Sequence, residues 1–109
     1  MNNQLGFEKR RPYQAALELN QLAIQVCSRI PTTHQLMADE LSRSAMMLVQ
    51  YVALHYGVPD NNAKRQAFSN ATGAFHRVLS ALVIALQHGY ITDEELEQSR
   101  LLCKRIQKW

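Results

Sequence analysis

Val78-Leu-Ser-Ala-Leu-Val-Ile-Ala-Leu86, followed by Gln87-His-Gly89-Tyr-Ile91 and then Thr92-Asp-Glu-Glu95, is the stretch that decides the fold. The apolar run reads as the second half of a helix, and Gly89 closes it in the usual C-terminal way. Thr92 and Glu95, three residues apart, match a capping box that opens the next helix, with acids suited to its first turn. So few residues separate the two helices that they are expected to be antiparallel neighbours. The run is apolar almost all round, more than one bundle face absorbs, so a further covering surface is expected.

The same punctuation organises the chain on either side. Gly57-Val-Pro59-Asp60 ends one helix and caps the next, with Asp60 or Asn61 supplying the N-cap oxygen. Pro12 suits a first helical turn because its missing N–H has no partner to lose there. Helix one then carries apolar rows at Tyr13, Ala16, Leu17, Ile24 and Cys27 and at Leu19, Leu22, Ala23, Val26 and Ile30. Ile30-Pro31 ends it, since the residue before proline is pushed out of the α region. Thr32 and Gln35 have the spacing of a second capping box for helix two, whose stripe is Leu41, Ala45, Leu48 and Val52. Leu96, Ser99, Cys103 and Ile106 form the stripe of helix four. Gly73, inside helix three, is expected to admit a close backbone approach, the alternative being a tolerated flaw in the helix.

These readings predict an all-α, antiparallel, up-down-up-down four-helix bundle in a single domain spanning 1–109. Its helices cover about 9–29, 33–56, 61–88 and 93–108, taken from the positions of these stop and start signals. Three Pro and four Gly are too few for a sandwich of many short strands, and 47% apolar residues are too many for a disordered chain. No run of about 18 apolar residues could span a bilayer, and the N-terminus lacks the apolar core of a signal peptide. A cytoplasmic protein is expected.

The net charge of +3 becomes polarised once the chain is folded on this plan. Lys9, Arg10, Arg11, Lys64, Arg65, Lys104, Arg105 and Lys108 gather at one end, opposed by Glu8 and Asp60, for a local net of +6. Arg29, Arg43, Arg77 and Arg100 against the seven other acids leave −3 elsewhere. Bases at the end of helix four complement its macrodipole, whereas Lys64 and Arg65 in the first turn of helix three, and Lys9 to Arg11 beside helix one, oppose theirs. Placement against the dipole suggests another partner, and phosphate is the obvious one because neutralising it releases counterions. All eight bases are therefore candidate nucleic-acid contacts.

Known catalytic patterns are missing. None of His34, His55, His76 and His88 has a Glu three residues before it, which removes the di-iron bundle motif, and no His-Glu-x-x-His zinc motif occurs. His34 and His88 share the acidic end and read as surface polar residues rather than a metal site. His76 is open to either a buried hydrogen-bonded or an exposed reading. Cys27 and Cys103 lie roughly 5 Å and 15 Å from that end at about 1.5 Å rise per residue, too far apart for a ~7 Å bridge, and read as core thiols. Met37, Met46 and Met47 read as core or interface filler. No metal, no cofactor and no enzymatic activity is expected.

Phe7-Glu-Lys, Tyr13-Gln-x-Ala16, Ile30-Pro31, Leu41-x-Arg43-x-Ala45, Ser69-x-Ala71-x-Gly73 and Ile84-Ala-Leu-x-x-Gly-Tyr90-Ile-x-x-Glu94 resemble motifs of one family. It comprises the four-helix-bundle proteins encoded in intervening sequences of large-subunit ribosomal RNA genes. Two departures are plain: the family's Ser-Asn-Ile-Ala-Glu-Gly segment is here Gln50-Tyr-Val-Ala-Leu-His55, and its usual Glu on helix three is Arg77. These bring the chain closer to a related group, the accessory variability proteins of diversity-generating retroelements. That resemblance implies a ring of five subunits, a homopentamer, which binds a reverse transcriptase and nucleic acid, either structured RNA or RNA-DNA. Such a ring would cover the apolar surface of helices two and three, with Met47, Tyr51, Leu54, Val83 and Ile84 as interface residues. A second reading is a protein-protein scaffold that never touches nucleic acid.

Overall fold

The computed structural model describes residues 5–108, and these form an all-α, four-helix bundle. A 3-10 turn at Gly6–Lys9 precedes α1 (Arg11–Cys27), and another at Thr32–His34 precedes α2 (Gln35–Gly57); α3 (Asn61–Gln87) and α4 (Asp93–Ile106) follow. α2 packs most extensively on α3, while α1 packs on both α2 and α4.

Capping explains most of these bounds. Asp60 is the N-cap of α3, where its Oδ2 accepts from the Ala63 N–H at 3.0 Å. Thr92 caps α4 through a reciprocal box: Thr92 Oγ1 accepts from Glu95 N–H at 3.1 Å, and Glu95 Oε1 accepts from Thr92 N–H at 2.9 Å. Gly89 has φ +77°, the left-handed conformation that glycine adopts without steric cost. Its N–H donates to Leu86 O, and that of Tyr90 donates to Ala85 O, closing α3 and turning the chain toward α4.

Two local expectations fail. Thr32 and Gln35 do not form a capping box: Thr32–His34 is a 3-10 turn and His34, with no side-chain cap, precedes α2. Gln35 Nε2 instead donates to Asp39 Oδ1 one turn on, at 2.8 Å, so the amide supports the helix from inside rather than from its end. Gly73 meets no close backbone either, because a Cβ placed on it would find nothing within 4 Å. It borders an open hollow with Ser44, Met47, Tyr51, Ser69 and Arg77. At the start of α1, Lys9 lies in the preceding 3-10 turn and Arg10 is the extended N-cap residue.

The core takes all of one apolar row on α1 and part of the other, from which Ala16 is buried and Tyr13 and Cys27 pack against it. Leu19, Leu22, Ala23, Val26 and Ile30 are buried with Ala15 and Ala16, whereas Leu17 and Ile24 face solvent. Leu41, Ala45, Leu48 and Val52 meet them from α2, and Leu96, Leu102, Cys103 and Ile106 from α4. Ser44 and Ser99, the buried polar side chains, donate to Glu40 Oε1 and Glu95 O. No buried side-chain N or O atom among the described residues lacks a partner, so the core carries no unpaired polar cost. In the Val78–Leu86 run, Val78, Ala81, Leu82 and Ala85 are fully or nearly fully buried and only Val83 (37%) and Ile84 (44%) stand well exposed among its large apolar residues. The bundle thus absorbs more of that run than its composition suggests. Exposed large apolar side chains occur on all four helices, and most of them, Leu36, Met46, Leu54, Phe68, Val83 and Ile84, lie on α2 and α3.

Candidate functional site

At one end of the bundle, Arg10 sits over the Tyr56 ring at 5.2 Å and so joins the start of α1 to the end of α2. His55 and Lys64 then stitch α2 to α3 twice, through His55 Nδ1 at 3.4 Å from Lys64 O and through Lys64 Nζ donating to His55 O at 3.3 Å. Phe68 and Phe75 of α3 border the same seam as Ile106 and Gln107 at the close of α4. The candidate bases are carried by these segments.

Two solvent-open hollows hold five of them. The larger, about 650 Å³, lies between α1 and α4 and is lined by Arg11, Pro12, Gln14, Ala15, Glu18, Arg105 and Lys108. The smaller, about 390 Å³, is lined by His55, Asn61, Lys64, Arg65 and Phe68. Lys9, Arg10 and Lys104 are exposed but line neither. Lys64 is half-buried, with its ammonium already on the His55 carbonyl, so its charge is directed by the α2–α3 junction.

Three features of this end escape the charge reading. Glu18 lines the larger hollow, so the local balance there is eight bases against Glu8, Glu18 and Asp60, a net of +5 rather than +6, and the remainder carries −2. His55 and Phe68 bring rings into the smaller hollow, and with Tyr56 they form an aromatic chain: His55–Tyr56 centroids lie 5.0 Å apart and His55–Phe68 6.2 Å. Asn61, Lys64, Arg65 and Phe68 follow the i, i+3, i+4, i+7 spacing of one helix face, so the grouping was present in the sequence as a polar stripe ending in an aromatic residue.

The residues named for an oligomer interface divide. Met47, Tyr51 and Leu54 border one hollow of about 610 Å³ together with Phe7, Gln50, Ala53, Gly57 and Val58. Val83 and Ile84 lie on α3 outside it. Met47 and Tyr51 also pack against the core, whereas Leu54 is 49% exposed.

The opposite end is built around His34, His88 and Tyr90. His34 Nδ1 lies 2.6 Å from Tyr90 Oη, the two imidazole centroids are 5.1 Å apart, and His88 stacks on Tyr90 at 5.7 Å. No group of three or more His, Cys, Asp or Glu able to hold a metal ion occurs among the described residues. His76 is exposed, its Nδ1 2.8 Å from Thr72 O. Both cysteines are free thiols: Cys103 is buried, which pushes its pKa up to about 12, and the half-buried Cys27 donates to Ala38 O at 3.3 Å. Burial also raises Cys27, so neither thiol has the thiolate character of a nucleophile.

Arg29, just beyond α1, and Glu95 of α4 tie this end together at 2.7 Å. The hydrogen bond from Arg29 and the Thr92 N–H hold the Glu95 carboxyl below its usual 4.5. A carboxyl with a depressed folded pKa contributes stability above its unfolded value, and that contribution disappears as pH falls through the folded one. Glu95→Gln should therefore melt below wild type at neutral pH, with the gap closing as the pH drops below about 4.5, the ordinary range for a glutamate. Thermal melts across that range check this; a gap independent of pH would assign the loss to the cap geometry alone.

No helix of the described residues is long and apolar enough to cross a membrane. Comparison with protein families, with curated proteins and with solved structures gives no match to the chain.

Proposed function

We propose that this is a non-enzymatic, cytoplasmic bundle with antiparallel up-down-up-down order that binds structured RNA or an RNA-DNA hybrid through its basic end. It acts as a ring-like homo-oligomer, a pentamer, alongside a reverse transcriptase. The observation that carries the nucleic-acid reading is the lining of the two hollows: Arg11, Arg105 and Lys108 in one, Lys64 and Arg65 in the other. Arg11 stands in the first turn of α1, where the macrodipole disfavours cations, so local helix stability does not account for it, whereas the Lys64 ammonium also meets the last turn of α2 at His55 O. An array of this kind meets a phosphate backbone without needing an element that reads bases. The subunit count and the reverse transcriptase rest on the resemblance of the short motifs to the retroelement accessory proteins.

Titration of a labelled, structured RNA at several salt concentrations tests the reading. Binding should weaken steeply as salt rises, in proportion to the number of phosphates neutralised. Low-salt affinity no better than that of an acidic control protein of similar size would end it.

The scaffold reading is favoured by a different observation, the apolar hollow bordered by Phe7, Met47, Tyr51, Ala53, Leu54 and Val58. A reverse transcriptase or ribosomal RNA gene beside this one supports nucleic-acid binding, and an unrelated operon supports the scaffold. Light scattering measures the subunit count directly.

A further inference from the structure

Gly73 stands near the middle of α3, where glycine weakens a helix relative to alanine. Packing gives no reason for it, since a Cβ there would meet nothing within 4 Å. What the missing side chain leaves is space. Gly73 borders a solvent-open hollow of about 250 Å³ between α2 and α3, lined by polar groups from both helices. Ser69, Asn70 and Arg77 stand at i−4, i−3 and i+4 from Gly73, on one helix face, and Met47 and Tyr51 line the α2 side. Arg77 makes no ion pair with any described residue. Asn70 Oδ1 already accepts from Gln66 Nε2 at 3.2 Å, which leaves the Asn70 amide N–H groups to donate. The buried Ser44, also on the lining, donates its hydroxyl to Glu40 Oε1.

We propose that this hollow binds a small monocarboxylate carrying a neighbouring hydroxyl or carbonyl oxygen, with Arg77 holding the carboxylate and Asn70 the second oxygen. A guanidinium presents paired N–H donors that match the two oxygens of a carboxylate. Among the described residues, Arg77 is the one cation on the lining, and Glu40 lies behind Ser44. A single negative charge is therefore compensated there, and a dianion such as a phosphate monoester is not. The Asn70 amide and the Ser69 and Tyr51 hydroxyls supply neutral donors for the second oxygen. Met47 and Ala74 offer a short alkyl group an apolar wall. The volume falls below the roughly 300 to 1,000 Å³ of pockets for drug-sized ligands, which restricts the occupant to a short carbon chain. The proposal does not rest on the nucleic-acid reading, because neither basic hollow shares a residue with this one. Met47 and Tyr51 are also named for the ring interface, so binding is measured on the assembly that light scattering finds.

Backbone amide shifts followed by nuclear magnetic resonance, as L-lactate, lactamide or inorganic phosphate is added at constant ionic strength, test this. The Asn70, Gly73 and Arg77 amides should shift and saturate with lactate at roughly millimolar concentration, as suits a small ligand in an open hollow, and should not with lactamide, which lacks the charge. Arg77→Gln should weaken lactate binding by about 10- to 150-fold, the effect of losing hydrogen bonds to a charged group. Arg77→Lys, a point charge without the fork, should restore only part of it. Gly73→Leu, which places a side chain in the hollow, should abolish binding. Gly73→Ala should melt roughly 4 to 8 °C above wild type, as expected if the helix does not need the glycine. Circular dichroism melts check the fold of each variant; should Gly73→Leu unfold, Arg77→Gln, a change at an exposed side chain, still decides. Equal shifts with lactate and lactamide, lactate binding unchanged by Arg77→Gln, or saturation by phosphate but not by lactate would each overturn the proposal. A Gly73→Ala variant no more stable than wild type would also overturn it, by showing that α3 itself requires the glycine.

Discussion

Leu82→Ala is expected to destabilise the bundle by about 2 to 5 kcal/mol, the range for removing a buried leucine and leaving part of its volume empty. In a domain of this size, each kcal/mol moves the melting temperature by roughly 4 to 8 °C, so the fall should be at least about 8 °C. Leu82 is 0% exposed, and Ile84, two residues on, is 44% exposed. Ile84→Ala in an isolated bundle should change stability by no more than about 0.5 kcal/mol, as for other surface positions. In a ring that uses Ile84 as an interface residue, melting already depends on protein concentration, and the same change would destabilise the assembly and lower its melting temperature. Melts of both variants at two widely separated concentrations read these outcomes together. A Leu82→Ala loss as small as that of Ile84→Ala would contradict the packing of α3.

That pair also marks how far the fold is legible in the chain. Helix ends are local events, decided by a few atoms: the Asp60 carboxylate, the φ freedom of Gly89 and the Thr92–Glu95 reciprocity are written in residue type and spacing. Stripes are legible where one face is apolar and the other polar, as on α4, where Leu96, Ser99, Cys103 and Ile106 are all buried. On Val78–Leu86 nearly every position is apolar, so periodicity has no contrast to work with. Which residues turn inward is set by where α2 and α4 stand, and that is not local information. Thr32–Gln35 fails for the opposite reason. The motif is local, but a 3-10 turn follows Pro31, and the Gln35 amide has Asp39 as a partner within its own helix.

The candidate site divides along the same line. Its bases could be gathered from topology, because a charge need only be at the correct end of its helix. Glu18 could not, since whether it joins Arg11 and Lys108 depends on the rotation of α1 against α4. The exposure of Phe68 follows from α3 burying the adjacent Ala67–Ala71–Ala74 face instead.

The triple variant Arg11→Ala, Arg105→Ala and Lys108→Ala should cause the largest loss of RNA affinity by general phosphate contact. Each phosphate neutralised on a single strand contributes about 0.7 to the slope of log affinity against log salt, so removing three contacts should lower that slope by about 2. Extrapolated from 1 M salt, where counterion release vanishes, to about 0.15 M, this corresponds to a loss of roughly 50-fold. Glu18 supplies the control of opposite sign. Its carboxylate borders the same hollow, so Glu18→Gln should raise affinity at low salt, and the gain should fade as screening shortens the reach of the charge. Neutralising Arg29 and Arg100 at other sites removes positive charge without touching either hollow. If that double variant costs as much affinity per charge as the triple one, the protein attracts RNA by net charge alone and the hollow between α1 and α4 has no special part. A loss confined to the triple variant, with the salt slope reduced to match, would place phosphates against Arg11, Arg105 and Lys108.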